Sequence, residues 1–208
     1  MATIKEVLNE QRIYAVMNKV PILREAEVPL FEDLIAMYQP RQVLEVGTAI
    51  GYSTLLLARH LGPEGHITTI ELDETRCVLA KKWIDQAGFT NRIQVLQGDA
   101  TELISSLKGP FDLVFLDGPK GQYLKQLQAI LPKLTVGAAV LADNVLFRGY
   151  VRGDKEVPHR FRTIAKRLRM YLETVEDKSQ FNTTIYPMGD GMSVSIWKGQ
   201  TVSHETDD

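Results

Sequence analysis

Apolar and polar positions fall along the chain in blocks. Two blocks with helical spacing come first, over residues 2–18 and 25–38, broken by Pro21 and stopped before Pro40. A regular rhythm then begins. Apolar runs of strand length at Gln42–Val46, His66–Ile70, Ile93–Leu96, Asp112–Leu116 and Ala138–Leu141 alternate with helical stretches at Tyr52–Leu61, Glu74–Ala87, Ala100–Leu107 and Gln122–Leu131. Gly88 suits the position just past a helix end, where a positive φ is needed. Strands that are continuously apolar are buried on both faces, and strand–helix alternation gathers them into a parallel sheet covered on both sides. After Asp143 the pattern changes to a loop with Gly149 and Gly153, a helix at about Pro158–Thr174, and strands at Thr183–Tyr186 and Met192–Trp197. The five-residue turn Pro187–Gly191 between those strands allows only an antiparallel hairpin. The expectation is one α/β domain over residues 1–208, with a helical cap at 1–38, a mostly parallel seven-stranded sheet ending in an antiparallel hairpin, and a polar tail at 199–208.

Composition narrows the function classes. The single cysteine, Cys77, excludes a disulfide framework and a thiolate zinc site, and the four histidines (His60, His66, His159 and His204) lack zinc-type spacing. No apolar run approaches the ~20 residues of a membrane span, and Met1–Glu10 has no signal-peptide pattern. These features fit a reducing, cytoplasmic setting without a membrane partner.

The informative chemistry lies where the strands end. Glu45, Glu71, Asp99, Asp117 and the pair Asp143–Asn144 place an oxygen ligand at or near the C-terminal edge of five successive strands. Ligands of open α/β sheets bind outside that edge. One such carboxylate is ordinarily a helix cap; five in register point to a ligand site. The loop Glu45–Ser53 carries Gly47 and Gly51, which let a backbone pass close to a ligand, and Ser53 with a helix N-terminus offers donors. It is not the dinucleotide fingerprint, because Ala49 stands where a glycine is required. Glu45 beside the loop suits a cationic amino group rather than a pyrophosphate, and Glu71 suits a ribose diol. An amino acid, a ribose and a positive charge together describe S-adenosylmethionine, and Ala49 and Glu45 speak against a dehydrogenase.

The chain resembles the cation-dependent O-methyltransferases, which include catechol and caffeoyl-CoA O-methyltransferases, and within them bacterial tRNA 5-hydroxyuridine methyltransferases. The resemblance runs from about Val20 to Lys198 and rests on Leu44–Ser53, Gly98–Ala100, Asp117–Tyr123, Asp143–Gly149 and Gly189–Gly191. It implies a Rossmann-like class I methyltransferase fold. It further implies that Val20, Glu45, Gly47, Thr48, Gly51, Ser53, Glu71, Asp99, Ala100 and Asp117 bind S-adenosylmethionine. Asp117, Asp143 and Asn144 would hold Mg²⁺ or another hard divalent cation, with Lys120 and Asp117 as catalytic residues. The oxygen-rich set agrees with the ligand preferences of such a cation. A catechol and a 5-hydroxyuridine both present two vicinal oxygens to one cation, so the metal site does not choose between a small-molecule acceptor and tRNA.

Charge bears on that choice. The chain has 24 Lys and Arg against 26 Asp and Glu, a net −2. Arg148–Arg169 holds eight basic and two acidic residues, a local +6, which leaves −8 on the remainder. Arg148, Arg152, Arg160, Arg162, Lys166 and Arg167 begin four residues after Asn144 and are candidate contacts to an RNA backbone. Phe147 and Tyr150 either stack on a splayed base or pack inside. Cys77, Trp83 and Trp197 read as core. The two N-terminal helices either cover the substrate or pair with a second copy in a homodimer.

Overall fold

A computed structural model describes residues 3–153 and 155–199. Helices α1 (Ile4–Asn18) and α2 (Val28–Tyr38) precede an alternating series: β1 (Gln42–Val46), α3 (Tyr52–Arg59), β2 (His66–Glu71), α4 (Glu74–Gln86), β3 (Ile93–Gln97), α5 (Ala100–Ser106), β4 (Phe111–Leu116), α6 (Tyr123–Ile130) and β5 (Leu134–Ala142). Helix α7 (Arg162–Val175) and the strands β6 (Phe181–Tyr186) and β7 (Met192–Trp197) complete it. Of the tail expected over 199–208, only Gly199 lies within the described residues.

Local chemistry explains the boundaries. Thr3 and Glu6 form a reciprocal capping box that starts α1. Asp73 and Asp99 accept backbone N–H groups to start α4 and α5. Helix α4 ends as expected at Gly88, with φ +77° and the paired bonds Gly88 N–H to Asp85 O and Phe89 N–H to Ile84 O. The two largest shifts from the expected boundaries are at β5 (Leu134–Ala142) and α7 (Arg162–Val175). Strand β5 starts four residues earlier than its apolar run, because Leu134 pairs with Phe111 before an irregularity restores register at Leu113 and Ala139. The helix expected from Pro158 opens as a 3₁₀ turn, His159–Phe161, before α7.

The sheet order is β3-β2-β1-β4-β5-β7-β6. Strands β1 to β5 pair in parallel, while β7 runs antiparallel to both β5 and β6. Alternate residues feed two cores. Val43, Leu113, Phe115 and Leu141 pack toward α1–α4. Leu44, Val46, Val114, Leu116 and Val140 pack toward α5–α7, where Ala165, Leu168, Tyr171, Leu172 and Val175 form the buried face of α7. Cys77, Trp83 and Trp197 are buried as core. Among the described residues no helix is long and apolar enough to cross a membrane.

Candidate active site

A cavity of about 480 Å³ opens along the C-terminal edges of the parallel strands. Its floor includes Val46, Gly47 and Ala49 after β1, Glu71 and Leu72 after β2, and Gly98–Thr101 after β3. Asp117–Lys120 follow β4, and Asp143 and Asn144 follow β5. The volume and the few convergent polar groups are those of a small-molecule site.

Chain geometry holds this edge tightly. Gly47 has φ +103°, and a Cβ there would stand 2.6 Å from the Asp117 carbonyl oxygen. Glycine therefore lets the β1 loop and the β4 loop touch. Glu71 fixes the same loop from the other side: Oε2 accepts the Ala49 N–H at 2.8 Å and Oε1 the Asp73 N–H at 3.0 Å. Asn144 (φ +57°), Phe147 (φ +35°) and Arg148 (φ +59°) all adopt left-handed backbone conformations, an uncommon concentration beside one site.

The site residues inferred from sequence divide into two groups. Gly47, Glu71, Asp99, Ala100, Asp117, Lys120, Asp143 and Asn144 share the cavity wall. Val20, Glu45, Thr48, Gly51 and Ser53 do not line it. Val20 packs against the α1–α4 core, and Gly51 opens α3 with φ +81°. Glu45 is wholly buried behind the loop. Its Oε1 accepts from Ser53 Oγ at 2.6 Å, and its Oε2 from Thr54 Oγ1 at 2.5 Å and Thr69 Oγ1 at 2.6 Å. Because Thr69 spends its proton on Glu45, Thr48 donates to Thr69 across 2.6 Å. Burial raises the Glu45 pKa and the three hydroxyls oppose that rise.

At the other end the acids crowd together. Burial first, then repulsion from Asp143, pushes the Asp117 carboxyl up to about 8. Burial and the nearby Glu27 push Asp143 up to about 6, against the Asn144 N–H that donates to Asp143 Oδ1 at 2.7 Å. The Lys120 ammonium offsets both. Lys120 sits on a 3₁₀ turn, Lys120–Gln122, just after Pro119. The described residues contain no cluster of three or more His, Cys, Asp or Glu arranged to hold a metal. The residues expected from the sequence to hold a cation, Asp117, Asp143 and Asn144, bring two carboxylates and one carboxamide to this wall.

Tertiary structure adds wall residues that strand-end reasoning missed. Arg24 and Glu27 come from the segment before α2, where Arg24 bridges to Asp190 at 3.1 Å and Glu27 Oε2 accepts the Arg24 N–H at 2.9 Å. Asp190 Oδ1 also accepts the Arg148 N–H at 3.1 Å, so the hairpin turn ties the N-terminal segment to the loop after Asn144. Gln122 and Gln126 line the cavity one helical turn apart. That i, i+4 spacing after Asp117 was the available signal.

The basic segment serves several purposes. Arg152 pairs with Glu176, and Arg169 donates to the Tyr150 and Val151 carbonyls at 2.8 Å each, so both are structural contacts. Phe147, Tyr150 and Phe161 pack their rings together, with the Arg148 and Arg160 guanidinium groups over Phe161 at 5.4 and 4.6 Å. Arg167 Nη1 donates to Gly121 O at 3.3 Å, joining α7 to the turn that carries Lys120. Arg162 and Lys166 are exposed.

An O-methyltransferase family model matches residues 2–198. The chain belongs to the O-methyltransferase family. A catechol O-methyltransferase of Niastella koreensis is 37% identical over 57% of this chain and 55% of its own length. The chain thus spans about half the length of that relative. A putative caffeoyl-CoA O-methyltransferase from Staphylococcus aureus has 30% identity and a TM-score of 0.82, covering 91% of each chain. The O-methyltransferase TomG of Streptomyces achromogenes, involved in tomaymycin synthesis and solved with S-adenosylmethionine, has 25% identity and a TM-score of 0.83, covering 93% of this chain and 90% of its own. The family assignment agrees with the resemblance in the sequence, and the mostly parallel seven-stranded sheet with its antiparallel C-terminal hairpin is the one expected of the class I fold.

Proposed function

We propose that the protein is an S-adenosylmethionine- and divalent-cation-dependent O-methyltransferase whose acceptor presents two vicinal oxygens, namely the 5-hydroxyuridine at the wobble position of tRNA, converted to 5-methoxyuridine. The observation that carries the reaction class is one cavity with two chemically distinct ends. Glu71, Asp99 and Ala100 wall one end, and Asp117, Lys120, Asp143 and Asn144 wall the other.

The acidic end fits a hard cation such as Mg²⁺. Asp117 and Asp143 are buried oxygen donors whose pKa values are raised first by burial and then by a neighbouring carboxylate, Asp143 for Asp117 and Glu27 for Asp143, and Asn144 adds a neutral oxygen. A cation held there lowers the pKa of an acceptor hydroxyl and fixes its orientation. S-adenosylmethionine supplies the methyl group, and the chain's part is largely positional. Glu71, held by two backbone N–H groups, offers its remaining lone pairs to a ribose diol. Lys120 Nζ takes the acceptor proton or holds the oxyanion. Gly47 keeps the β1 loop against Asp117, so the two ends stay in fixed relation.

Support for a polyanionic acceptor comes from α7. Arg167 bonds to the Lys120 turn, and Arg160, Arg162 and Lys166 extend exposed positive charge from it. The relatives named for catechol and caffeoyl-CoA favour a second reading, a small catechol-type or CoA-linked acceptor. One experiment separates them. The protein is incubated with S-adenosylmethionine and either tRNA lacking the methyl group or a free catechol, with Mg²⁺ or EDTA. Metal-dependent 5-methoxyuridine is expected. Fast catechol methylation with no modified nucleoside would establish the second reading, and no transfer to either would overturn the reaction class. A second copy of the chain is read against the α1 stripe Ile13, Val16 and Met17, which are 53%, 81% and 76% exposed. Sedimentation as a dimer that Val16→Glu dissociates is the expected result.

A further inference from the structure

Gln11, on α1, is wholly buried, and its Nε2 donates to the Ile50 carbonyl at 2.8 Å across 39 residues of sequence. Ile50 is 0% exposed, so water does not reach that carbonyl and the glutamine amide takes water's place. Helix α1 packs on α3, and Ile50 stands two residues before α3 begins. The bond therefore joins the N-terminal helix to the loop between β1 and α3.

That loop is bent against its preferences. Gly47, Ala49 and Gly51 have φ of +103°, +46° and +81°, and Ala49 lacks the freedom of glycine. Hydrogen bonds hold the bend. The Gly47 and Thr48 N–H groups donate to the Ile70 carbonyl at 2.9 and 3.2 Å, and the Gly51 N–H donates to the Thr48 carbonyl at 2.8 Å. The Ala49 N–H donates to Glu71 Oε2, and Gln11 fixes the peptide between Ile50 and Gly51. Gly47 and Ala49 line the cavity, while Gln11 lies outside its wall.

We infer that Gln11 is a positioning residue for cofactor binding, which holds the Ile50–Gly51 peptide so that the loop keeps presenting Gly47 and Ala49 to the cavity. This rests on the S-adenosylmethionine reading above. Without the amide, the Ile50 carbonyl is a buried acceptor with no donor. Loop conformations that turn it to water then gain population, and they also relieve the left-handed Ala49. Only chains that keep the original bend bind, so affinity falls in proportion to their fraction. Helix α1 thus tunes the site without touching a ligand.

The test uses the full chain, calorimetric titration with S-adenosylhomocysteine, and amide hydrogen exchange of the ligand-free protein. Gln11→Met keeps the length and packing of the side chain and removes the donor. It also removes the unpartnered Gln11 Oε1, so melting is expected to stay close to that of the wild type. Affinity is expected to fall about tenfold, with KM for S-adenosylmethionine rising in proportion and kcat at saturation within about twofold. The Ala49 and Gly51 amides exchange at least about tenfold faster, and those of β5 are unchanged. Val7→Ala is the control: Val7 is buried one turn earlier on the same face of α1, so the variant melts lower but keeps its affinity within about twofold. Unchanged affinity in Gln11→Met, or a chain that Gln11→Met unfolds, makes the residue merely structural and overturns the inference while leaving the cofactor reading intact. An equal loss of affinity in Val7→Ala also overturns it, because affinity would then follow the seating of α1 as a whole. No wild-type binding of S-adenosylhomocysteine overturns both.

Discussion

Replacing Glu45 separates a residue that holds the loop from one that touches the cofactor. Its carboxylate accepts three hydroxyl protons in a site closed to water, and a fourth hydroxyl, on Thr48, depends on one of them. Glu45→Ala leaves a void and turns Ser53, Thr54 and Thr69 toward nothing. Three buried hydroxyls left without their acceptor at about 1 kcal/mol or more each, with the void added, put the cost at about 3–5 kcal/mol. Glu45→Gln behaves differently. The carbonyl, placed where Oε2 lies, still accepts from Thr54 and Thr69, and the amide donates to Ser53 Oγ once that hydroxyl turns. It also removes the burial penalty that raises the Glu45 pKa. Its cost is about 1 kcal/mol or less. Urea unfolding of the ligand-free chain measures both. With a slope of about 3 kcal/mol/M, Glu45→Ala should lower the midpoint by about 1–1.7 M at unchanged slope, and Glu45→Gln by under about 0.4 M. A Glu45→Ala chain as stable as the wild type that has lost cofactor affinity would refute the reasoning and make Glu45 a ligand.

Three other outcomes follow from the same geometry. Gly47→Ala places a methyl 2.6 Å from the Asp117 carbonyl at a φ of +103°, so it should cost about 2 kcal/mol or more by thermal unfolding and depress turnover by displacing Asp117. In EDTA, carboxyls whose folded pKa lies above the unfolded value stabilise the fold only while protonated. Melting should therefore fall as pH rises from 5 to 8.5, through the values near 6 and 8 for Asp143 and Asp117; Asp117→Asn should flatten that slope, and a flat wild-type curve contradicts the crowding of the two acids. Reversing Arg160, Arg162 and Lys166 to Glu should lower kcat/KM for tRNA at least tenfold and weaken its salt dependence, with catechol turnover unchanged and melting lowered only by the lost Arg160 contact with Phe161; equal loss on both acceptors counts against an RNA contact.

Much of the fold was legible because buried parallel strands must be apolar throughout, and β1 and β7 fall at their expected limits. The start of β5 was hidden because Thr135, Val136 and Gly137 are half-buried or exposed, although Leu134 pairs with Phe111. The acidic strand ends were legible for a similar reason: a carboxylate after an apolar run is conspicuous. Which way each carboxylate faces was not. Glu45 lies on the same side of β1 as Val43, where α3 supplies Ser53 and Thr54 and the neighbouring strand supplies Thr69. No spacing in the sequence reveals that enclosure. Arg24 and Glu27 escaped notice for the same reason, since the Arg24–Asp190 pair joins residues 166 positions apart.

A net charge of −2 combines two local fields that meet at one turn. The acids at the sheet edge concentrate negative charge where burial makes it expensive, and Lys120 already offsets part of it. The positive charge of α7 is exposed, so at physiological salt its reach is about 8 Å. It therefore does little for Asp117 and Asp143 directly and acts instead on what approaches from solvent. The two fields are joined mechanically through Gly121, whose carbonyl accepts from Arg167 one residue after Lys120. A polyanion held along Arg160, Arg162 and Lys166 consequently bears on the same turn that places the Lys120 ammonium. On the proposed function, acceptor recognition and proton handling would share that support, while the end proposed for the cofactor, at Glu71 and Ala100, stands on other elements, β2 and α5.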